Sequence, residues 1–199
     1  RSEIDPNGEM TKYVINHMED LEAYKQWNGP LTQLMSSEDF KNRRHFDHVP
    51  EMNHPLYNIV MFNKVFFLKE ALNLNPEATH LLWLDAGGIR ESISTKEWPN
   101  INKLDSSKIM KFSHNVPFNV PDPEWHSFSQ VRHIQGTAFV CPSHMIDWYI
   151  SEINNTIQDC INHGYIGSDE KIFDLTCLKN PNKFNLVKQS WREYYDWLL

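Results

Sequence analysis

A chain of 199 residues that is 40% hydrophobic and 13% aromatic carries enough apolar material for one domain with a sizeable core, whereas a disordered chain would show fewer aromatics and a larger charge imbalance. A net charge of −7 removes the electrostatic basis for non-specific nucleic-acid binding, so no nucleic-acid partner is expected. No apolar run reaches the ~20 residues of a membrane span, which leaves enzymes and binding domains open.

Residues 1–12 are polar, with a turn signal in Asp5-Pro6-Asn7-Gly8. The apolar spacing from Tyr13 to Trp27 predicts a helix, which Asn28-Gly29-Pro30 should close. Leu31–Met35 reads as a short strand, Ser36-Ser37-Glu38-Asp39 as a helix cap, and 41–54 as a loop. Pro55 then opens a strong helix, PLYNIVMFNKVFFLKEALNLN, with proline in the first turn, where its missing N–H is not needed. Asn73, Asn75 and Pro76 end it. His80–Leu84 follows as a buried strand, an apolar run with no polar alternation. Helix, tight loop and apolar strand in succession is the rhythm of an α/β sheet.

Beyond Arg90, residues 91–107 look irregular, KIMKF (108–112) reads as another strand, and 114–124 as a loop. HIQGTAFVCP (133–142) is a strand interrupted by a glycine. Ser143 should cap a helix through about Ile161, with Met145, Ile146, Trp148, Tyr149 and Ile153 turned inward. Another helix follows Ser168-Asp169-Glu170, and the tail SWREYYDWLL is aromatic. With no internal repeat or low-complexity tract, 1–199 is expected to be a single domain. The chain begins at Arg1 without an initiator methionine or a signal-peptide pattern, so a fragment of a longer chain or a processed product is expected.

Cys141, Cys160 and Cys177 are widely spaced, odd in number and form no CxxC pair, which indicates neither a disulfide framework nor a thiolate zinc site. A reducing, cytoplasmic setting is the simpler expectation. The alternative is a secretory lumen, where the sequon Asn154-Asn155-Thr156 would matter.

Four places could carry chemistry. Asp85 stands where the strand 80–84 emerges, and ligands of open α/β sheets gather beyond the carboxyl ends of strands. Followed by Gly87 and Gly88, it could bind a ribose hydroxyl or a divalent cation on a diphosphate, or start a turn by bonding its own backbone. Lys64 shares an apolar helix side with Tyr57, Val60, Met61, Leu68 and Ala71, so it must snorkel to water, pair with an acid or meet an anion. Asp169-Glu170 opens a helix after a glycine-bracketed loop. Those acids either complement the positive helix end or present a base to a hydroxyl nucleophile. Finally, His45, Asp47, His48 and His54 cluster in one short segment. Their spacing fits neither a zinc helix nor, without a β-rich barrel, an iron-oxygenase site.

The ordered set YNIVMFNKVFFLKEALNLNP, HLLWLDAGG, HIQGTAFVCP, GYIGSDEKIFDL, KNPNKFNLV and the closing W…YYDWL resembles the HtrL/YibB-like family, which includes WlaTC-type proteins. The likeness runs from about residue 30 to 199 and is best from 55 onward. Its members are regarded as glycosyltransferases of the GT-A type. The resemblance therefore implies a GT-A-like, Rossmann-like α/β fold, with a mixed sheet flanked by helices. It also implies a nucleotide-sugar donor and a glycan or glycoconjugate acceptor.

By the same resemblance, Lys64 would lie near the nucleotide and Asp85 at the donor ribose and a Mn²⁺ or Mg²⁺ ion. Gln135 and Gly136 would border donor sugar and acceptor, and Asp169 and Glu170 would face the acceptor. The sequence departs from the family pattern at Gly87, which stands where the second acid of an Asp-X-Asp motif holds the metal. That departure puts the metal, and Asp85 as its ligand, in question. It is also the main support for the alternative, a non-catalytic sugar or nucleotide binder or pseudo-glycosyltransferase. The first strand of such a fold has no clear counterpart: either Lys12-Tyr13-Val14-Ile15-Asn16 serves or the strand lies upstream of Arg1.

Overall fold

The computed structural model describes residues 16–43, 49–85, 99–113, 134–189 and 193–198. At its centre is a mixed sheet of four strands: β1 (His80–Leu84), β2 (Ile109–Ser113), β3 (Ile134–Pro142) and β4 (Phe184–Lys188). Their spatial order is β1-β3-β2-β4, with β3 antiparallel to both neighbours and β2 parallel to β4. Among the described residues seven α-helices accompany it: α1 (Glu22–Ser36), α2 (Glu38–Arg43), α3 (Pro55–Phe62), α4 (Lys64–Leu74), α5 (Ile146–Asn162), α6 (Asp169–Lys179) and the short α7 (Tyr194–Leu198). The expected mixed α/β architecture with flanking helices is present.

Both sheet faces are covered, and alternation along the strands divides their side chains. Leu81, Ile109, Phe139, Cys141 and Phe184 pack into the main core with buried residues of α1 and α3–α6. Phe112 and Ala138 face the other way, against Tyr194 and Leu198 of α7, with Leu84 and Val187 beside them. β2, inside the sheet and covered on both faces, is buried along its whole length. Among the described residues, no helix is long and apolar enough to cross a membrane.

The structure corrects three expectations in the first half. Asn28-Gly29-Pro30 does not close a helix but lies inside α1, and Leu31–Met35 is helical rather than extended. The reason is packing: Ala23, Trp27, Leu31 and Met35, spaced four apart, form one buried stripe that continues across the proline. Burying Leu31 and Met35 is worth ~1.5–3 kcal/mol each, enough to offset the ~3 kcal/mol of an interior proline and the ~1 kcal/mol of Gly29. The third correction is the single helix expected after Pro55, which divides at Asn63 into α3 and α4. The buried Asn63 carboxamide accepts the Ala23 N–H at 3.1 Å, satisfying a first-turn donor of α1 that its N-cap Leu21 cannot.

The cap ahead of α2 is present, whereas the one expected at Ser143 is not. The Ser37 hydroxyl accepts the Phe40 N–H at 3.2 Å, the cap expected ahead of α2. The helix after β3 begins with a 3₁₀ turn at Ser143–Met145, without a side-chain cap from Ser143, and buries Met145, Ile146, Tyr149 and Ile153 while Trp148 is half-buried. The sequon falls within α5, where Asn154 accepts the Trp27 indole N–H at 3.2 Å and buried Thr156 meets the Thr176 hydroxyl at 3.1 Å. Cys141, Cys160 and Cys177 are free, buried thiols. Burial pushes Cys141 and Cys160 each up to about 12 and raises Cys177 well above its ordinary value, so all three stay protonated and unreactive at neutral pH.

One core residue departs from the apolar rule. Lys111 of β2 is fully buried, and its Nζ lies 3.2 Å from the Phe173 ring centroid and 3.6 Å from that of Phe139. Its ammonium has no hydrogen-bond partner among the described residues. Burial holds its pKa well below the usual lysine range, against a smaller upward pull from Cys177 and Asp169. The unfolded chain then binds a proton at Lys111 that the folded chain resists, from the depressed folded value up to about 10.4. Within that window stability rises with pH as the penalty fades. Lys111→Met is therefore expected to raise Tm at neutral pH by roughly 2–4 °C, the size of about 1 kcal/mol in a chain of this length. That gain should shrink steadily as thermal unfolding is repeated up to pH 10. A constant or growing gain would mean that Lys111 does not shed its proton on folding.

Candidate functional site

The carboxyl ends of β1, β2 and β4 and the first residues of antiparallel β3 share one edge of the sheet. Asp85 continues the β1 ladder by one residue, its N–H donating to the Thr137 carbonyl at 2.8 Å. Opposite β2 the ladder is irregular: between the pairs Lys111–Phe139 and Ser113–Ile134, two steps of β2 span five of β3. This bulge turns Gln135–Thr137 out of the regular pleat. It brings Gly136 against the first turn of α6, where a Cβ would lie 2.5 Å from Asp169 Oδ2 and 3.1 Å from Glu170 Cγ. Only a residue without a side chain permits that approach.

Lys64, the first residue of α4, reaches into this space. Its ammonium donates to Asp169 Oδ2 at 2.7 Å, to the Gly136 carbonyl at 2.9 Å and to the Asp85 carboxylate at 3.1–3.2 Å. Those three bonds account for all of its donors. Of the three outcomes open to a lysine on an apolar stripe, the structure takes pairing, doubled. The Lys64 side chain is 3% exposed and that of Asp169 8%, while Asp85 keeps 32% of its side chain in contact with solvent. Burial alone would lower the Lys64 pKa, but Asp169 first and Asp85 second outweigh it, and the net direction is upward. The ammonium is therefore permanently charged, and the cluster of one cation and two carboxylates carries an excess negative charge.

The surroundings fix this cluster. The Trp83 indole N–H donates to Asp85 Oδ1 at 2.7 Å, its ring stacks on Phe67 at 6.0 Å, and the Lys64 ammonium lies 5.8 Å from the ring centroid. Glu170, half-buried beside Asp169, accepts the Gly136 N–H at 3.3 Å. The Gln135 amide donates to the Gln189 carbonyl at 2.6 Å and its oxygen accepts the Thr137 hydroxyl at 3.4 Å, so this side chain stitches the start of β3 to the end of β4. Tyr194 closes the far side. Burial raises its phenol pKa, the neighbouring Thr137 hydroxyl lowers it, and the Asp85 charge raises it again.

Lys64, Asp85, Gly136, Asp169 and Glu170 are thus brought together, and Gln135 stands one residue away with its side chain committed to the sheet. Gly87 and Gly88 lie outside the described residues, as do His45, Asp47, His48 and residues 12–15 of the KYVIN stretch. His54 is exposed. Among the described residues, no group of three or more His, Cys, Asp or Glu is placed to hold a metal ion. Sequence reasoning missed Trp83 and Tyr194. Trp83 had a usable signal, since two residues along a strand place side chains on one face and so beside Asp85. Ser168, at the N-cap position of α6, makes no cap bond, and its hydroxyl is buried with no partner among the described residues.

Comparison with known proteins adds a family. The model of the HtrL_YibB family, described as a bacterial protein of unknown function, matches residues 4–198. Protein HtrL of Escherichia coli (strain K12) is 22% identical over 207 residues, covering 98% of this chain and 70% of that protein. No solved structure matches the chain.

Gly136→Ala should push Asp169 off Lys64 and lower stability by about 2–4 kcal/mol, since a broken buried ion pair leaves charge uncompensated. Gly29→Ala, in a helix interior with no atom within 4 Å of its added methyl, should instead stabilise by about 0.5–1 kcal/mol. Urea titration of both variants at unchanged slope measures this contrast, and equal midpoints would remove the close approach at Gly136 from the account of the site.

Proposed function

We propose that this chain, which belongs to the HtrL/YibB family, is a glycosyltransferase that moves a sugar from a nucleotide-diphosphate donor to a glycan hydroxyl. The carrying observation is the meeting of Lys64, Asp85, Asp169 and Glu170, drawn from three separate elements, at the strand edge where α/β sheets collect ligands. A domain seeking stability alone would fill this space with apolar side chains, because a buried ion pair seldom outperforms them. Charges retained there point to chemistry. The mixed sheet, with antiparallel β3 between β1 and β2, is compatible with a GT-A-like fold.

In this reading Asp85, partly open to solvent, receives the donor's ribose. Glu170 is the better placed of the two acids to act as base. Asp169 is buried with one carboxylate oxygen tied to Lys64, whereas Glu170 is half-buried and so the more open of the two to an acceptor. The carboxylate takes the proton of the acceptor hydroxyl while that oxygen bonds to the anomeric carbon. The bond from anomeric carbon to diphosphate breaks, and the nucleoside diphosphate leaves. Asp169 and Lys64 act as positioning residues, and orientation of two bound substrates supplies much of the rate.

The resemblance to GT-A enzymes also brings an expected Mn²⁺ or Mg²⁺. The described residues do not fit it, because the space between Asp85 and Asp169 holds the Lys64 ammonium. The second reading, a non-catalytic binder, draws on the same ammonium: a cluster already satisfied within the chain needs no turnover to explain it.

Glu170→Gln is expected to cut transfer by about 10²–10⁴-fold, with donor KM and Tm nearly unchanged. Asp85→Asn should raise donor KM, since its loss acts on binding. A thermal-shift panel of nucleotide sugars followed by acceptor screening checks both. Stabilisation by a nucleotide sugar with no turnover in any acceptor would favour the binder, and full activity of Glu170→Gln would move the base elsewhere.

A further inference from the structure

We infer that the Lys64 ammonium takes the place of a divalent cation at this edge, so that the protein binds no metal between Asp85 and Asp169 and works without one there. The inference deepens the transferase reading and rests on it only for its bearing on catalysis; as a statement about binding it stands on the geometry.

Three groups surround one point: Asp169 Oδ2 at 2.7 Å, the Gly136 carbonyl at 2.9 Å, and both oxygens of the Asp85 carboxylate at 3.1 and 3.2 Å from the nitrogen. These are hydrogen-bond lengths around an ammonium, whereas Mg²⁺ draws six oxygens to about 2.0–2.1 Å. A metal ion entering here would have to expel a cation whose three donors are all engaged and whose side chain is 3% exposed. It would also meet an Asp85 oxygen already bonded to the Trp83 indole. The protein therefore supplies its own fixed positive charge. One unit of charge against two carboxylates leaves the cluster anionic where a divalent ion would have neutralised it. Recognition of a donor by this cluster then leans on its hydroxyl-bearing ribose more than on its phosphates.

The same geometry makes the inference testable by subtraction. Lys64→Met keeps most of the apolar stem but ends one atom short and carries no charge, leaving the oxygens of Asp169, Gly136 and Asp85 facing the space the ammonium vacates. That variant should gain one Mn²⁺ site, read by quenching of the free-ion signal in electron paramagnetic resonance, and Mn²⁺ should raise its Tm. Adding Asp169→Asn should abolish both effects. The wild-type chain should leave the Mn²⁺ signal at millimolar concentration no different from its Asp85→Asn variant.

A wild-type Mn²⁺ site lost with Asp85→Asn or Asp169→Asn would overturn the inference, as would a folded Lys64→Met that binds no ion. If Lys64→Met fails to fold, the wild-type comparison decides alone. Transfer activity separates the two claims: turnover that a chelator abolishes defeats the metal substitution and keeps the transferase. Metal indifference with no turnover on any donor does the reverse.

Discussion

The structure is organised around one buried ammonium. Lys64 joins the start of α4 to the end of β1, the bulge of β3 and the first turn of α6, and each of those elements presents it an oxygen. Charge away from water is tolerable only when every partner is in place, so this requirement reaches outward. It explains why β3 carries a glycine at the bulge, where any side chain would separate Asp169 from the cation. It explains why a tryptophan rather than an aliphatic residue precedes Asp85 by two, since its indole N–H satisfies the oxygen that Lys64 does not fully occupy. It also sets Glu170 beside the cluster, where it accepts the Gly136 N–H.

A second buried lysine provides the contrast. Lys111 sits in the next layer of the same core, enclosed by Phe139, Phe173 and Tyr149 in place of carboxylates. Burial acts on both side chains alike. At Lys64 two anions reverse its effect, and at Lys111 the aromatic rings do not. One fold thus holds one lysine firmly charged and drives the other toward neutrality, and the difference lies wholly in what each nitrogen faces.

The sequence made the strands legible wherever an apolar run was short and bounded. KIMKF and HIQGTAFVCP were recognisable because burial on both faces removes polar alternation, and HLLWL was recognisable as an apolar run although, of the expected buried strand, only Leu81 is buried. β4 was not, as FNLVK carries an asparagine and a lysine and is only partly buried. Local breakers misled at Asn28-Gly29-Pro30, where a buried stripe on the same helix outweighed them, and at Asn63, where a cap supplied to a distant helix divides an otherwise continuous one. The acids and the lysine of the site were visible as exceptions to pattern. Their convergence was not, since Lys64 and Asp169 are 105 residues apart and only the strand order brings them together.

That strand order also bears on how the chain is made. Among the described residues β1 pairs with β3 alone, His80 opposite Pro142, so this ladder partner is synthesised some sixty residues after it. Until then β1 has a row of unmet backbone groups, and a strand edge of that kind invites foreign pairing. Long-range pairing is intrinsically slow to form. The β1 edge is therefore closed by a segment that follows it far along the chain, and a product ending before β3 would present that edge without its partner.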